Sequence, residues 1–508
     1  MKLRSASVFF VLLIFFLRPL FAQVKDSLII TPEQPIKILP IPDVSTDSLR
    51  STPLPDSNLM DRLSEQKVII SKILLVGNKI TKPSIITREL FFHEGDTLSR
   101  FVLQDAMKRS RENLMNTSLF NFVEIYDQPD ANDSTQTFVI VRMTERWYLF
   151  PLPIFELVDR NFNEWWLTKD FSRTNYGAYI VRENFLGRKQ TLQMLVRLGY
   201  SQKLGLYYSI PYINKKQQDG LSFSFSFTRN HEITYGDLEN KTVFYKDENI
   251  FIRKQFSSGI RLTHRSGIYD YYSYIGEYQD NTIADTVAAL NPDYFLNGNT
   301  REQLITLSFV FVRDHRDFKI YPLKGYYVDF SATKQGLGIL KDEPNLLSLA
   351  SSVRKFWELS PRWHFAAGVR GKLSGQSFAP YYNSRGLGYG NDFVRGYEYY
   401  VVNGQNYAVF KSNLKFTLIP EKVVHIKFVP LEKFNRIPFA FYLNLFADMG
   451  YAKDRQFYFN NSLTNSFLFG TGIGLDYVTY YDMVFRLEYS FNKIGEHGVF
   501  LHFTSPIW

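Results

Sequence analysis

The feature that most constrains the fold of this chain is a repeated alternation of apolar and polar residues from about residue 151 to the C-terminus. In 221–228 every odd position is apolar and every even position carries a hydroxyl group. The same odd/even pattern recurs in 441–449, 467–477 and 483–489. A period of two places apolar side chains on one face of a β-strand and polar side chains on the other. The C-terminal part is therefore predicted to be a long series of two-faced strands.

The length of these strands separates a membrane barrel from a soluble sandwich. Strands of soluble sheets usually have about 5–6 residues, whereas tilted strands that cross a bilayer need about 9–11. Several of the alternating segments run to ten residues or more. No segment of the chain approaches the roughly 20 consecutive apolar residues of a membrane helix, which excludes a helical membrane protein. The sequence favours a mainly β fold with a transmembrane barrel.

The number of strands follows from a count of alternating segments. From residue 151 onward there are 16 or 17 candidates, and the weakest is 243–253, where Lys246, Asp247 and Glu248 interrupt the pattern. Single-chain bacterial barrels close with an even number of strands. We therefore predict a 16-stranded antiparallel barrel over residues 147–508. Because lipid offers no water to unpaired backbone groups, its sheet must close on itself or use a partner at its seam.

Composition excludes several classes of function. The chain has no cysteine, which rules out disulfides, Cys-ligated metals and thiol catalysis. Its 46 Phe and 33 Tyr favour β structure. A formal net charge of +9 over 508 residues is a mild excess and gives no argument for nucleic-acid binding.

The N-terminal 66 residues contain two non-globular segments. Residues 1–22 combine Lys2 and Arg4 with an apolar run over 8–17 and Ala22 at a plausible cleavage point, which predicts an export signal. Residues 23–66 hold six prolines and no aromatic residue. Such a stretch cannot bury enough apolar surface to offset its ordering entropy, so we interpret it as a flexible linker.

Residues 67–146 have the sequence pattern of a small α/β domain. A β-branched run over 68–76 ends at the turn signal Gly77-Asn78. Thr81 is the predicted N-cap of a first helix, and Ser99 that of a second helix reaching about residue 115. Two further strands are predicted, giving the order β-α-α-β-β; they span 120–126 and 137–143.

This domain resembles a POTRA domain, the periplasmic module of outer-membrane assembly proteins. The residues that carry the resemblance are 76–81 (VGNKIT), 88–90 (REL), Gly95-Asp96 and 114–123. The resemblance implies a domain that receives unfolded clients by adding a client strand to a sheet edge. We expect this edge at 120–126, with Phe120, Phe122, Val123 and Ile125 as the client-binding residues.

Alternation breaks down between about residues 375 and 405. A loop of this length without secondary structure suggests a function. Its segment Val394-Arg395-Gly396-Tyr397 resembles the loop tip shared by the BamA/TamA superfamily of assembly and translocation proteins, and 446–450 (FADMG) resembles the FxDxG strand motif of that superfamily. The resemblance implies that the loop folds into the barrel lumen, where its arginine meets an acidic wall. Asp448, Asp476 and Glu488 fall on the polar, lumen-facing positions of their strands. We therefore predict a salt bridge from Arg395 to Asp448, with Asp476 and Glu488 as second choices.

The C-terminal segment resembles the insertion signal of outer-membrane barrels. Gly498, Leu501 and Phe503 have the spacing of that signal, and the chain ends at the aromatic Trp508. We predict a weak seam between a first strand near 151–158 and this last strand at 498–503. Two other segments resemble the superfamily, namely 313–325 and 145–153.

Chemical motifs do not indicate an enzyme. There is no G-x-S-x-G, P-loop or H-E-x-x-H sequence, and the eight histidines are scattered. We expect no catalytic residue, no cofactor and no metal.

Three functions remain open. The first is an outer-membrane insertase or translocase with its POTRA domain in the periplasm of a Gram-negative cell. Its partners would be unfolded outer-membrane or secreted proteins, the lipid bilayer, and periplasmic chaperones or accessory lipoproteins, without nucleic acid. The second is a secretion pore of the two-partner type for one passenger, and the third is a structural surface barrel. Only one POTRA unit can be identified, where BamA-like members carry several.

Overall fold

A computed structural model describes residues 67–133, 135–157, 174–376, 379–390, 392–425, 435–459, 461–479 and 483–502. The predicted signal (1–22), the linker (23–66), Phe503 and Trp508 lie outside the described residues. The described residues divide into two compact units, one ending at Trp147 and the other beginning at Tyr148.

The first unit is the predicted α/β domain. The elements are β1 Lys67–Val76, α1 Pro83–Thr87, β2 Thr97–Ser99, α2 Arg100–Asn116, β3 Phe120–Pro129 and β4 Gln136–Glu145. The order β-α-α-β-β is confirmed, with one additional short strand before the second helix. The sheet has the order β2-β1-β4-β3, with β1 parallel to β4 and the other pairs antiparallel.

The two helix starts differ in their chemistry. Ser99 caps α2 as predicted, because its side chain accepts a hydrogen bond from the Val102 N–H. Thr81 does not cap α1, and this part of the prediction is wrong. The helix begins after Lys82 without a side-chain cap, and the Thr81 N–H donates instead to the buried Glu145 carboxylate at 2.6 Å.

The second unit contains a 16-stranded antiparallel sheet in which each barrel strand pairs with the next one along the chain. The predicted strand number is confirmed. The strands are β5 Leu149–Leu157, β6 Thr174–Phe185, β7 Gln190–Gly199, β8 Ser201–Ile210, β9 Asp219–Asn230, β12 Arg253–Ser266, β13 Asp270–Ile283, β14 Arg301–Asp314, β15 Gly325–Gln335, β16 Leu346–Glu358, β17 Trp363–Ser374, β18 Asn406–His425, β19 Arg436–Lys453, β20 Phe467–Thr479, β21 Met483–Asn492 and β22 His497–His502.

The weak candidate at 243–253 is not a barrel strand. Lys241–Lys246 (β11) pairs with Glu232–Leu238 (β10) in a separate two-stranded hairpin inserted between β9 and β12. A short helix, α3 (Asp285–Leu290), follows β13. Hairpin and helix lie in connections that leave the same end of the barrel, which we call the long-loop end.

The alternating residues of the strands point to opposite faces of the sheet, as predicted. Phe223 and Phe225 on β9 and Leu445 on β19 are exposed on the outer face, whereas Asn444 and Asp448 on β19 are buried inside. The apolar positions of the strands thus form a lipid-facing surface, and the alternating polar positions line the lumen. Among the described residues, none of the helices has the length and apolar character needed to cross a membrane.

Candidate functional site

The loop between β17 and β18 doubles back on itself. Leu387 and Val402 exchange backbone hydrogen bonds of 2.9 and 2.8 Å, which close residues 387–402 into a narrow arm that we call the lumen finger. The expectation of a loop without secondary structure is thus only approximate, since a 3-10 turn at Tyr381–Asn383 precedes this bridge.

The tip of the finger packs against strands β18–β21, which we call the acidic wall. Val394 and Tyr397 are buried in an apolar cluster that includes Val409 and Leu468 of this wall. Gly396 has a φ of +92°, which favours glycine, and its carbonyl accepts a hydrogen bond of 2.8 Å from the Asn492 side chain. Packing and backbone geometry together fix the direction in which residue 395 points.

Arg395 is fully buried and forms a forked ion pair with Asp448. Its Nε lies 2.7 Å from one Asp448 oxygen and its Nη2 lies 2.6 Å from the other. Nη1 donates to Glu488 at 3.3 Å, and Nη2 also donates to Asn413 at 2.8 Å. The guanidinium lies over the Phe446 ring, 4.0 Å from its centroid. This geometry satisfies a buried charge through two carboxylates and an amide.

The charge of Arg395 is stable in this environment. Burial by itself would lower the pKa of Arg395, but the Asp448 and Glu488 carboxylates raise the pKa above the ordinary arginine value. The finger is therefore held by a permanent charge.

Glycines on the acidic wall make room for the finger. A Cβ added at Gly470 would collide with the Arg395 carbonyl oxygen, and one added at Gly450 would collide with the Val394 side chain. Gly450 is the glycine of the FxDxG segment. Its role here is steric, since only a residue without a side chain lets the finger lie directly on the strand.

Asp476, a second choice for the salt bridge with Arg395, pairs instead with Tyr321 and Asn444. It accepts a hydrogen bond of 2.6 Å from the Tyr321 hydroxyl and one of 2.8 Å from the Asn444 amide. Tyr321 belongs to the connection between β14 and β15, at the end of the barrel opposite the long-loop end. Its buried ring lies under the Lys415 ammonium, 4.0 Å from Nζ, and contacts the Tyr442 ring.

The acidic wall is thus occupied from both ends, by the finger at Asp448 and Glu488 and by Tyr321 at Asp476. Neither Tyr321 nor Lys415 was predicted as a site residue. The available signal was the segment 313–325, in which an aromatic residue follows a charged turn.

The base of the finger is tied to the β10–β11 hairpin. Asp237 Oδ2 accepts hydrogen bonds of 3.0 Å from both Tyr381 and Tyr389 and one of 2.8 Å from Asn403. Burial raises the pKa of Asp237, although these three hydrogen bonds oppose the shift. An apolar cluster supports the same junction; its members include Ile233, Ile252, Val287, Tyr294, Phe295 and Tyr381.

The predicted client-binding residues lie on β3, which is an edge strand of the first unit. Phe120 and Val123 are buried within that domain, while Phe122 and Ile125 are half-buried. The Val123 carbonyl accepts a hydrogen bond of 3.0 Å from Arg111 of α2. The side chains therefore serve the domain core, and the backbone is what this edge can offer to another strand.

The predicted seam residues lie on the last strand. β5 and β22 are the two ends of the sheet order. Gly498 and Leu501 lie on β22, and Leu501 is exposed on the outer face. These positions are consistent with a site where the sheet begins and ends.

Comparison with known proteins assigns the chain to a family. The POTRA family described as a surface antigen variable number repeat matches residues 68–145. Among solved structures, CdiB from Escherichia coli is similar with a TM-score of 0.50 and 12% identity, over 86% of this chain and 76% of that one. BamA from Haemophilus ducreyi lacking POTRA domains 1–3 aligns with a TM-score of 0.48 and 17% identity, over 86% and 84% of the two chains.

CdiB from Acinetobacter baumannii aligns with a TM-score of 0.44 and 14% identity, over 86% of this chain and 73% of that one. No match was found among curated proteins. The Omp85 superfamily domain matches residues 184–493, more than half of the sequence, and the chain therefore belongs to the Omp85 superfamily.

Proposed function

We propose that this protein inserts or translocates other proteins at the outer membrane of a Gram-negative cell. The observation that carries the proposal is the lumen finger, which is held inside an Omp85 barrel by the fully buried ion pair between Arg395 and Asp448. A passive scaffold does not need a buried, fixed charge in its lumen. An arm that must keep one position beside the last strands while clients pass does need such an anchor.

The proposed orientation places the POTRA domain in the periplasm. With 16 strands, the first barrel strand begins and the last one ends on the same side of the membrane, and we take this to be the periplasmic side. Partners in this orientation are unfolded outer-membrane or secreted proteins, the bilayer itself, and periplasmic chaperones or accessory lipoproteins.

Clients would first bind the backbone of the β3 edge. An edge strand offers hydrogen-bonding groups that accept many client sequences. Arg111 already occupies the Val123 carbonyl, so a client strand must displace this side chain.

Arg111→Ala tests this first step. With a photo-crosslinker at Tyr126, which is exposed on β3, we expect the substitution to increase client crosslinking because it frees one backbone acceptor. Arg109→Ala on the same helix is the matched control, since Arg109 is exposed and pairs with Asp105. Unchanged or reduced crosslinking with Arg111→Ala would exclude β3 as the binding edge.

The client would then enter the membrane at the seam between β5 and β22. Its strands could pair with the end strands of the sheet, and transfer of its apolar face into lipid would supply the free energy, about 25 cal/mol per Å². The proposal requires neither nucleotide hydrolysis nor another enzymatic step.

Replacement of Arg395 tests the function as a whole. In cells depleted of the native protein, we expect Arg395→Ala and Arg395→Lys to form heat-modifiable barrels but to lose activity, because neither retains the forked pairing with Asp448. The control is Arg301→Ala, which removes an exposed arginine paired with Asp280. Activity equal to the parent in both Arg395 variants would contradict the proposal.

The pattern of protein loss after depletion separates the alternatives. Broad loss of outer-membrane proteins supports an insertase. Loss of a single exported protein supports a dedicated secretion pore of the two-partner type. No change in either would leave a structural surface barrel.

A further inference from the structure

Three side chains from different elements converge beside the finger tip. Glu398 follows the tip, Glu488 lies on β21, and His502 is on the last strand β22. His502 Nε2 lies 3.4 Å from Glu398 Oε1 and 3.3 Å from Glu488 Oε2. All three atoms lie within 4.8 Å of one another. Their position links the finger to the end of the sheet.

These three atoms are buried and form no hydrogen bond within the described part of the chain. The Glu488 side chain is completely buried. A buried carboxylate oxygen without a hydrogen bond destabilises the fold. A cation bound between the three atoms would remove this desolvation cost.

The remaining oxygens of the two carboxylates are already engaged. Glu398 Oε2 accepts the Gly396 N–H at 2.9 Å. Glu488 Oε1 lies 3.3 Å from both Arg395 Nη1 and Arg486 Nε. The His502 ring stacks on Phe393. Each group is thus oriented by contacts elsewhere on its side chain and presents one atom to the shared space, as metal ligands commonly do.

The two nitrogen–oxygen distances leave room for an ion between His502 and the two carboxylates. A protonated imidazole bound to carboxylates gives N–O distances of about 2.7–2.9 Å. The observed 3.3 and 3.4 Å are longer. They match the edge of a tetrahedron, about 3.3 Å, when each ligand lies about 2.0–2.1 Å from a central Zn²⁺.

We propose that Glu398, Glu488 and His502 bind a divalent transition-metal ion of the Zn²⁺ class. One imidazole nitrogen and two carboxylate oxygens suit such an ion, whereas Ca²⁺ requires six to eight oxygen ligands. The ion fastens the finger to β21 and to the last strand, and it is a second anchor beside the Arg395–Asp448 ion pair.

Metal titration of the full-length protein in detergent tests this site. After treatment with a chelator and dialysis, we expect one ZnCl₂-derived ion to bind per chain by calorimetry. His502→Gln and Glu398→Gln are expected to weaken binding by about tenfold or more. His497→Gln is the matched control, since His497 lies on the same strand but contacts Tyr489 instead. Heat-modifiability on gels verifies that every variant forms a barrel.

Two outcomes would overturn the proposal. The first is equal Zn²⁺ affinity in His497→Gln, His502→Gln and Glu398→Gln, which would place any bound ion elsewhere. The second is no binding of Zn²⁺, Mn²⁺ or Co²⁺ by the folded parent, which would leave a proton shared between His502 and the carboxylates.

Discussion

Two parts of the barrel sheet are built on the same alternation but differ in what their inner faces contact. The acidic wall (β18–β21) contains strands of 20 and 18 residues, and its inner side chains are buried against the finger and Tyr321. The opposite strands β6–β9 have 10–12 residues. Their inner face carries hydroxyl and amide groups such as Gln193 and Ser224, together with a few charged side chains such as Arg197 and Lys203, and these four side chains are half-buried or exposed.

This difference shows that the lumen is asymmetric. Charges are concentrated on the wall where other parts of the chain bind, because buried charges require partners. On β6–β9, neighbouring hydroxyls pair with each other, as Ser209 and Ser222 do at 2.9 Å. These hydroxyl groups need no inserted partner to be hydrogen-bonded.

The largest expected effect follows from removing the carboxylate of Asp448. Asp448→Ala leaves the Arg395 guanidinium buried without its forked partner, which we expect to lower the free energy of unfolding by about 3–5 kcal/mol. Denaturant titration of the protein refolded in lipid measures it. Ser224→Ala on β9 is the comparison and is expected to change little. An equal response of both variants would refute the asymmetry of the two walls.

A second test adds one methyl group to each wall. Gly470→Ala places a Cβ against the Arg395 carbonyl and should displace the finger, with a cost of about 1–3 kcal/mol. Gly205→Ala on β8 meets only the Leu195 side chain, at 3.4 Å, and should be tolerated. Protease accessibility of the finger is the measurement. A finger equally protected in both variants would mean that close approach to the wall is not needed.

The smallest expected effect concerns the other end of the acidic wall. Tyr321→Phe removes one hydrogen bond to Asp476, which keeps its hydrogen bond from Asn444, and should cost about 0.5–1.5 kcal/mol. Tyr207→Phe, a half-buried tyrosine on β8, is the matched control. Denaturant midpoints compare the two. A loss no greater than that of the control would show that Tyr321 does not contribute to holding this end of the wall.

Much of the fold could be predicted because it depends on local patterns. Alternation places Asp448, Asp476 and Glu488 on the same face, and a Ser at position 99 satisfies an N–H at the start of a helix. The separate β10–β11 hairpin was harder to recognise, since its short alternating pattern does not say which strand it pairs with.

The pairing of charges could not be fully predicted from the sequence. Alternation shows which face of a strand a side chain lies on, but not how far along the barrel it lies. Asp448 lies opposite Gly470, and Asp476 is six residues further along β20. At about 3.3 Å per residue this is roughly 20 Å, beyond the reach of Arg395. The Glu398–Glu488–His502 cluster was also missed, since no local spacing connects a finger residue with the last strand.

The close contact between Val394 and the strand position of Gly450 has a consequence for related sequences. Because there is no room for a methyl group at 450 while valine occupies 394, the two positions must change together. A relative with alanine at the position of Gly450 should therefore carry a smaller residue than valine at the finger position, and a sequence alignment could test this dependence without any measurement on the protein.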